Sequence, residues 1–447
     1  MKKSKINIGN LFLLSALSML ALCLCFGILA AITYIFPYFL KNELGFVSLR
    51  PLHVSSAIFW LILGATGCVY NGLQLYTGQA IINNRSLIQW GLWILAIVGI
   101  LFSYCIKKFG GREYWEFDPI WALPIVIAWV LFLINFISIV RKIKSWPVYI
   151  WMWLTGIVFF LFTFLENYLW IFPFFREHFI TDMTIQWKVN GSLVGSWNQI
   201  LYGTAIFLMD KIEGTETTGN SKQAFFMYFL GLFNLMFNWG HHLYTLPGEN
   251  YIRYIGYIVS MTEWIFFIKI IYDWKKSVSS IQKNYHYFPF RFLMATDIWV
   301  FLNMIQALLM SIPAINIYTH GTHVTVAHAM GTTIGINSMI LFAACFEFFN
   351  FKYIDKSRTA NYLNKFFWGL QISLFIFWLS LNAAGVKKGI WQMSLHQVSY
   401  SEMMESLRPY FIVFGIAGIG LLICFSSIAI LLIKNASIKN EIYEKYN

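Results

Sequence analysis

A chain that runs again and again for about 20 largely apolar residues has few ways to fold, because each run is long enough to cross a bilayer as a helix. Lipid offers the backbone no hydrogen-bond partner, and a helix satisfies its own N–H and C=O groups. In this 447-residue sequence such runs fall at roughly 11–38, 52–76, 88–106, 118–140, 147–173, 183–209, 224–246, 251–272, 289–312, 322–348, 366–384 and 410–433. Only 12% of the residues are charged, against about 25% in ordinary soluble domains. The expectation is an all-α integral membrane protein of about twelve transmembrane helices. No Pro/Gly/Ser-rich linker or soluble insertion interrupts the runs, so residues 1–447 read as a single polytopic membrane domain.

The formal charge of +12 could suggest nucleic acid, but loops rich in Lys and Arg on the cytoplasmic side explain it more simply. With the N-terminus inside, MKKSK, RKIKS (141–145), DWKKSVSSIQK (273–283), FKYIDKSR (351–358) and the tail from Lys434 all fall on the inner face. That face then holds the larger share of the loop cations, which places both termini in the cytoplasm. The first run follows a basic stretch, as a signal peptide would, yet 11–40 is too long and has no clear small-residue cleavage site. It reads as a retained span.

Histidine inside a span is costly unless something pairs with it or binds it. Three short clusters hold six of the nine histidines, of which five carry the pattern: His53 in LRPLHV, His241 and His242 in NWGHHL, and His323 and His328, which follow His320 in THGTHVTVAHAMG. On the topology above, all three clusters fall near the outer ends of their spans. Satisfied structural histidines have no reason to share a depth, whereas a metal or heme centre would require it. Adjacent helical residues point about 100° apart, so His241 and His242 meet one ion only where the helix is distorted or ends. Gly240 and the following LYTLPG supply such an end. His328 and Met330 project to nearly opposite faces and suit two different centres. Imidazole and thioether are both axial ligands for heme iron. The six cysteines lie in or at the ends of apolar runs and read as buried thiols. No C-x-x-C-H offers covalent heme attachment.

In these features the chain resembles the catalytic subunit (subunit I) of the heme-copper oxidase superfamily, and its wording is most like nitric oxide reductases and the related C-family oxygen reductases. GGREYWEFDP (110–119) is similar to the reductases' acidic loop, YTHGTHVTVAH (318–328) to their tenth span, and GHH (240–242) to their seventh. The resemblance implies a heme-copper oxidase-like bundle in a bacterial-type inner (cytoplasmic) membrane, with two b-type hemes. His53 would hold the low-spin heme and His328 the high-spin heme, while His241 and His242 would hold a non-heme iron or copper. Arg50, Arg112, Glu113 and Glu116 would sit at the propionates, Glu116 with calcium. His320 and His323 would hydrogen-bond the propionates rather than ligate.

Against this resemblance stand several departures. Aligned on the Trp and Gly residues of KVNGSLVGSWNQILYG (188–203), the sixth span carries Asn190 where the family has a metal-binding His. Val194 and Asn198 stand where the reductases have Glu. Met330 occupies the place of the low-spin heme's second His. An amide oxygen is a harder and weaker ligand than imidazole, and His/Met ligation raises a heme's potential.

The resemblance therefore implies a nitric-oxide-handling respiratory oxidoreductase of the reductase type, with His241, His242, His328 and Asn190 at the reacting centre. Its partners would be the lipid bilayer, a small gaseous substrate (nitric oxide or oxygen), and a cytochrome c subunit or other electron donor; nucleic acid is not among them. Three alternatives stand beside it. A nitric oxide dismutase needs no net electrons or protons and tolerates loss of the Glu relay. An oxygen-reducing cytochrome c oxidase subunit I-like enzyme is disfavoured by Ser221, which stands where the C-family has its redox-active Tyr, the nearest Tyr being Tyr228. A non-catalytic membrane heme carrier or gas sensor would keep the hemes without the second metal. The remaining intramembrane charges are Glu166, Glu263, Lys269, Asp297 and Glu347; for Glu263 a proton route and a helix–helix hydrogen bond are both open.

Overall fold

The computed structural model describes residues 7–260, 264–351, 357–395 and 398–446. Glu263 lies outside the described residues. Among these, nine helices are long and apolar enough to cross a membrane: Ile8–Ile35, Gly45–Thr77, Asn84–Cys105, Pro119–Val140, Val148–Ile171, Tyr287–Ser311, His323–Phe348, Arg358–Met393 and Tyr400–Lys434. The other three expected runs depart for reasons visible in their residues. The run 183–209 lies within one continuous helix, Phe179–Glu213, but its polar side chains keep it off the apolar set. Those side chains are buried, with Asn190, Ser192, Ser196 and Gln199 each less than 5% exposed. The run 224–246 is a 16-residue helix, Lys222–Phe237, that tightens into a 3₁₀ turn over Asn238–Leu243. The run 251–272 falls on two helices, Asn250–Ser260 and Trp264–Ser277.

The chain forms two compact units, Met1–Ala16 with Ile58–Asn284 and Leu17–Ala57 with Tyr285–Asn447. In the first, an aromatic core is pinned by indole donors. Trp129 Nε1 donates to the Ile157 carbonyl at 2.8 Å. Trp153 Nε1 donates to the Ile200 carbonyl at 3.1 Å, so the Phe179–Glu213 helix is held by side chains of its neighbour. Each of these bonds matters because leaving a buried indole N–H unbonded costs about 1–3 kcal/mol. In the second unit Phe288, Phe292, Phe342 and Phe346 stack between the helices Tyr287–Ser311 and His323–Phe348. Gln306 bridges the Val324 carbonyl and Asn382 Oδ1.

Two of the intramembrane carboxylates are paired across helices, Glu166 with Lys188 and Glu347 with His286 at 2.7 Å. Among the described residues all six cysteines are free thiols. Cys25 and Cys105 are exposed rather than buried, a correction that follows from thiols behaving as small apolar groups on the outer faces of apolar helices.

At the end of Phe179–Glu213, buried Asp210 accepts from the Thr218 N–H at 2.9 Å and the Gly219 N–H at 2.9 Å, fixing the next turn. Burial pushes its carboxyl up from 3.8 to about 7, against the pull of those two bonds, and Glu213 and Glu216 add to the rise. An acid that holds its proton more tightly when folded contributes stability below its unfolded pKa and loses it as pH rises. Thermal stability is therefore expected to decline from about pH 4 to about pH 7. Asp210→Asn should flatten that decline, as read by scanning fluorimetry at several pH values.

Candidate functional site

His53 stands in the third turn of Gly45–Thr77, and its ring is fixed from the side by the first helix. Nδ1 lies 2.8 Å from the Cys23 carbonyl oxygen. A carbonyl only accepts, so Nδ1 carries the proton and Nε2 is left with the lone pair. This is the arrangement that orients a metal-binding imidazole and raises its basicity. Gly27 closes the cradle, since a Cβ there would lie 2.8 Å from both Cε1 and Nδ1. The residues fit a heme ligand at His53. Cys23 and Gly27 escape sequence reasoning, because nothing in an apolar helix marks which carbonyl meets a ring.

The same unit holds the histidines of the tenth run. His328 and Met330 lie, half-buried, in the helical segment His323–Met330. Gly331–Ser338, directly after it, is a π-helix, a distortion often found at functional sites. Asn303 Nδ2 donates to Thr332 Oγ1 at 2.6 Å, and Thr332 Oγ1 donates to the His328 carbonyl at 3.2 Å. That chain ties the backbone of His328 to the neighbouring helix. The backbone of Asn303 lies within hydrogen-bonding reach of the His328 ring. His323 packs edge-on against Tyr34, at 5.9 Å, and Phe411, at 5.0 Å. Arg50 lies within electrostatic reach of Tyr34, so Arg50 and His323 share a neighbour that sequence reasoning does not single out. His320 caps the helix Pro313–Thr319, and burial lowers its pKa from 6.5.

In the other unit the 3₁₀ turn brings His241 and His242 together with ring centroids 4.3 Å apart. The expected helix end is thus present, and it is a tightening of the helix, not a break. His241 Nδ1 lies 2.9 Å from Asn238 Oδ1 and 3.1 Å from Ser260 Oγ. With Asn238 Oδ1 as acceptor, Nδ1 is the donor and Nε2 keeps its lone pair for a metal. The His242 ring stacks on Trp187 at 4.7 Å, with 8° between planes. Trp187 belongs to Phe179–Glu213, which runs close to the turn: a Cβ on Gly191 would lie 2.9 Å from Trp239 Cβ. Asn190, one turn from Trp187, is 3% exposed, and neither of its amide atoms has a hydrogen-bond partner. Among the described residues no group of three or more His, Cys, Asp or Glu gathers to hold a metal ion. A second-metal site here would rest on two imidazoles and a non-classical third donor.

The GGREYWEFDP loop is hydrogen-bonded to itself: the Gly110 and Gly111 N–H groups donate to the Glu116 carbonyl at 3.0 and 3.2 Å. Trp115 and Phe117 anchor it in the core. One terminal nitrogen of Arg112, Nη2, donates to both carboxylate oxygens of Asp182 at 2.9 and 2.8 Å, and its guanidinium lies over the Trp170 ring. Glu113 is exposed and Glu116 is half-buried. Asp182 is not anticipated from the sequence, although an acidic residue in the first turn of the following helix is a signal for it.

The family profile described as "Cytochrome C and Quinol oxidase polypeptide I" matches residues 7–420. A nitric oxide reductase subunit of Stutzerimonas stutzeri is 23% identical over 433 residues, covering 89% of this chain and 88% of the relative. Cytochrome c oxidase subunit 1 of Rhodobacter capsulatus is 23% identical over 405 residues, covering 85% and 75%. The Cbb3-type cytochrome c oxidase subunit CcoN1 of Stutzerimonas stutzeri is 21% identical over 412 residues, covering 85% and 84%. A solved heme-copper terminal oxidase dimer superposes with a TM-score of 0.72 at 14% identity, covering 96% of this chain and 84% of that one.

Proposed function

The chain belongs to the cytochrome c and quinol oxidase polypeptide I family of membrane oxidoreductases, and from that premise we propose that it is a nitric-oxide-handling respiratory subunit of the nitric oxide reductase type. The observation that carries this reading is the end-to-end match to a nitric oxide reductase subunit, which spans nearly all of both chains. The wording of the acidic loop, the histidine pair and the tenth span supports it.

On this reading His53 and Met330 hold a low-spin b-type heme and His328 holds a second, high-spin one. His241, His242 and Asn190 bind a non-heme iron or copper. When bound, these groups supply one-electron redox chemistry at a gas-binding centre. The protein's own part is orientation. Cys23 and Gly27 set the His53 ring, Asn238 and Ser260 set His241, and Trp187 sets His242. Arg50, Arg112, Glu113, Glu116, His320 and His323 would serve the heme propionates, Glu116 with calcium. The twelve-helix bundle forms one domain with both termini in the cytoplasm, and a cytochrome c subunit or other donor feeds it electrons.

A dismutase is the second reading, favoured by Asn190, Val194 and Asn198 together, because a reaction without net electrons or protons does not need the missing Glu relay. Isotope-labelled nitric oxide supplied to the purified protein together with an artificial one-electron donor decides between them. Nitrous oxide is expected; nitrogen with oxygen would replace the reductase by the dismutase. Neither product would overturn both.

Met330→His offers a separate check. A thioether favours reduced iron, so the variant's low-spin heme potential should fall by on the order of 100 mV. An unchanged potential and low-spin spectrum would remove Met330 from the ligand set.

A further inference from the structure

We propose that the cavity at the shared end of three spans in the first unit is a binding site for the phosphate of an anionic phospholipid. The cavity has a volume of about 330 Å³ and is lined where Gly45–Thr77 ends, Asn84–Cys105 begins and Pro119–Val140 ends. Three candidate spans meeting at their termini put it at the level of lipid headgroups.

Its charge is one-sided. Arg85 and Lys142 both line it, and no acidic side chain does. Neither cation has a hydrogen-bond or ion-pair partner among the described residues. Two unneutralised cations lining one cavity repel each other, and an anion between them removes that cost. Arg141 and Lys144 flank the same turn and add to the field.

The floor is preformed. Asn83 Oδ1 accepts from the Ser86 N–H at 2.9 Å, and Asn83 Nδ2 donates to Asn135 Oδ1 at 3.4 Å. Buried Asn135 in turn donates to the Tyr70 hydroxyl at 3.2 Å. These bonds hold the loop between the spans against its neighbour without using either cation.

The remaining wall distinguishes a lipid from a soluble phosphate. Ile81, Ile139 and Ile143 line the same cavity as the cations. A free phosphate would gain nothing from them, whereas the glycerol and first acyl carbons of a phospholipid bury against them while the headgroup meets Arg85 and Lys142. Basic pockets between transmembrane helices recognise anionic headgroups in this way.

The test is native mass spectrometry of the delipidated full-length protein with phosphatidylglycerol, phosphatidylcholine or inorganic phosphate added. One phosphatidylglycerol per chain should be retained in preference to phosphatidylcholine. Arg85→Gln with Lys142→Gln should weaken that retention roughly thirtyfold, as the loss of two surface cations predicts. The charge-conserving pair Arg85→Lys with Lys142→Arg should keep it. Equal retention by the Gln pair and the wild type, with both folded by circular dichroism, would overturn the site. Displacement of the lipid by an equal concentration of inorganic phosphate would overturn the lipid as its occupant.

Discussion

On the proposed ligand set, His53→Ala is expected to lower the heme content of the purified protein from about two b-type hemes per chain to about one, with loss of the low-spin signature. The reason lies in what is left after the change. Met330 would be the sole protein ligand, and a neutral thioether alone is a poor anchor for heme iron. Other groups are also committed to this one ring: its proton goes to the Cys23 carbonyl at 2.8 Å, and Gly27 leaves room only for the imidazole. Gly27→Val tests that cradle without touching the ligand. Any side chain there must push the ring off the carbonyl, and losing such an orienting bond costs roughly 10–100-fold in ligand affinity. A pyridine hemochrome with low-temperature absorbance reads both variants. Full heme content and an unchanged low-spin band in His53→Ala would move the ligand elsewhere; an unperturbed Gly27→Val would show that the cradle does not set the ring.

What is legible in the residues divides along physical lines. Apolar runs announce spans wherever the helix faces lipid, and nine of the expected runs coincide with helices long and apolar enough to cross. The run 183–209 is harder to read because its helix is polar where it is buried: Asn190, Ser196 and Gln199 face protein, so hydropathy understates its depth. The histidine pair is legible as a helix end because Gly240 and a Pro-Gly lie close by, though its 3₁₀ form is not. Ligand types can be read from a sequence, whereas their orienting partners often cannot. A backbone carbonyl at Cys23 has no residue signature, and Ser260 is nineteen positions from His241. Arg112 shows the opposite limit. Its place in a recognisable loop predicts a propionate contact, while its ion pair with Asp182 comes from a helix seventy positions away.

Asn190 carries the other large effect, because two substitutions there should move stability and metal binding in different directions. Both polar atoms of its amide are buried without a hydrogen-bond partner, and an unsatisfied buried polar group costs about 1–3 kcal/mol. Leucine has the same branching and nearly the same shape. Asn190→Leu should therefore stabilise the metal-free protein by about 1–3 kcal/mol, seen as a higher unfolding temperature. The same change removes the third donor, so the metal-loaded protein should lose affinity and gain no such stability. Asn190→His restores an imidazole, a better ligand than an amide oxygen for iron or copper. Its metal retention against a chelator should rise by on the order of 100-fold, measured by elemental analysis after dialysis. If Asn190 is instead an ordinary packing residue, leucine will leave metal content untouched and histidine will only overfill a closed site and destabilise it. For histidine the two readings part: one predicts a rise in metal retention, the other destabilisation with no such rise, which makes this position the most direct place to learn whether the second metal is held at all.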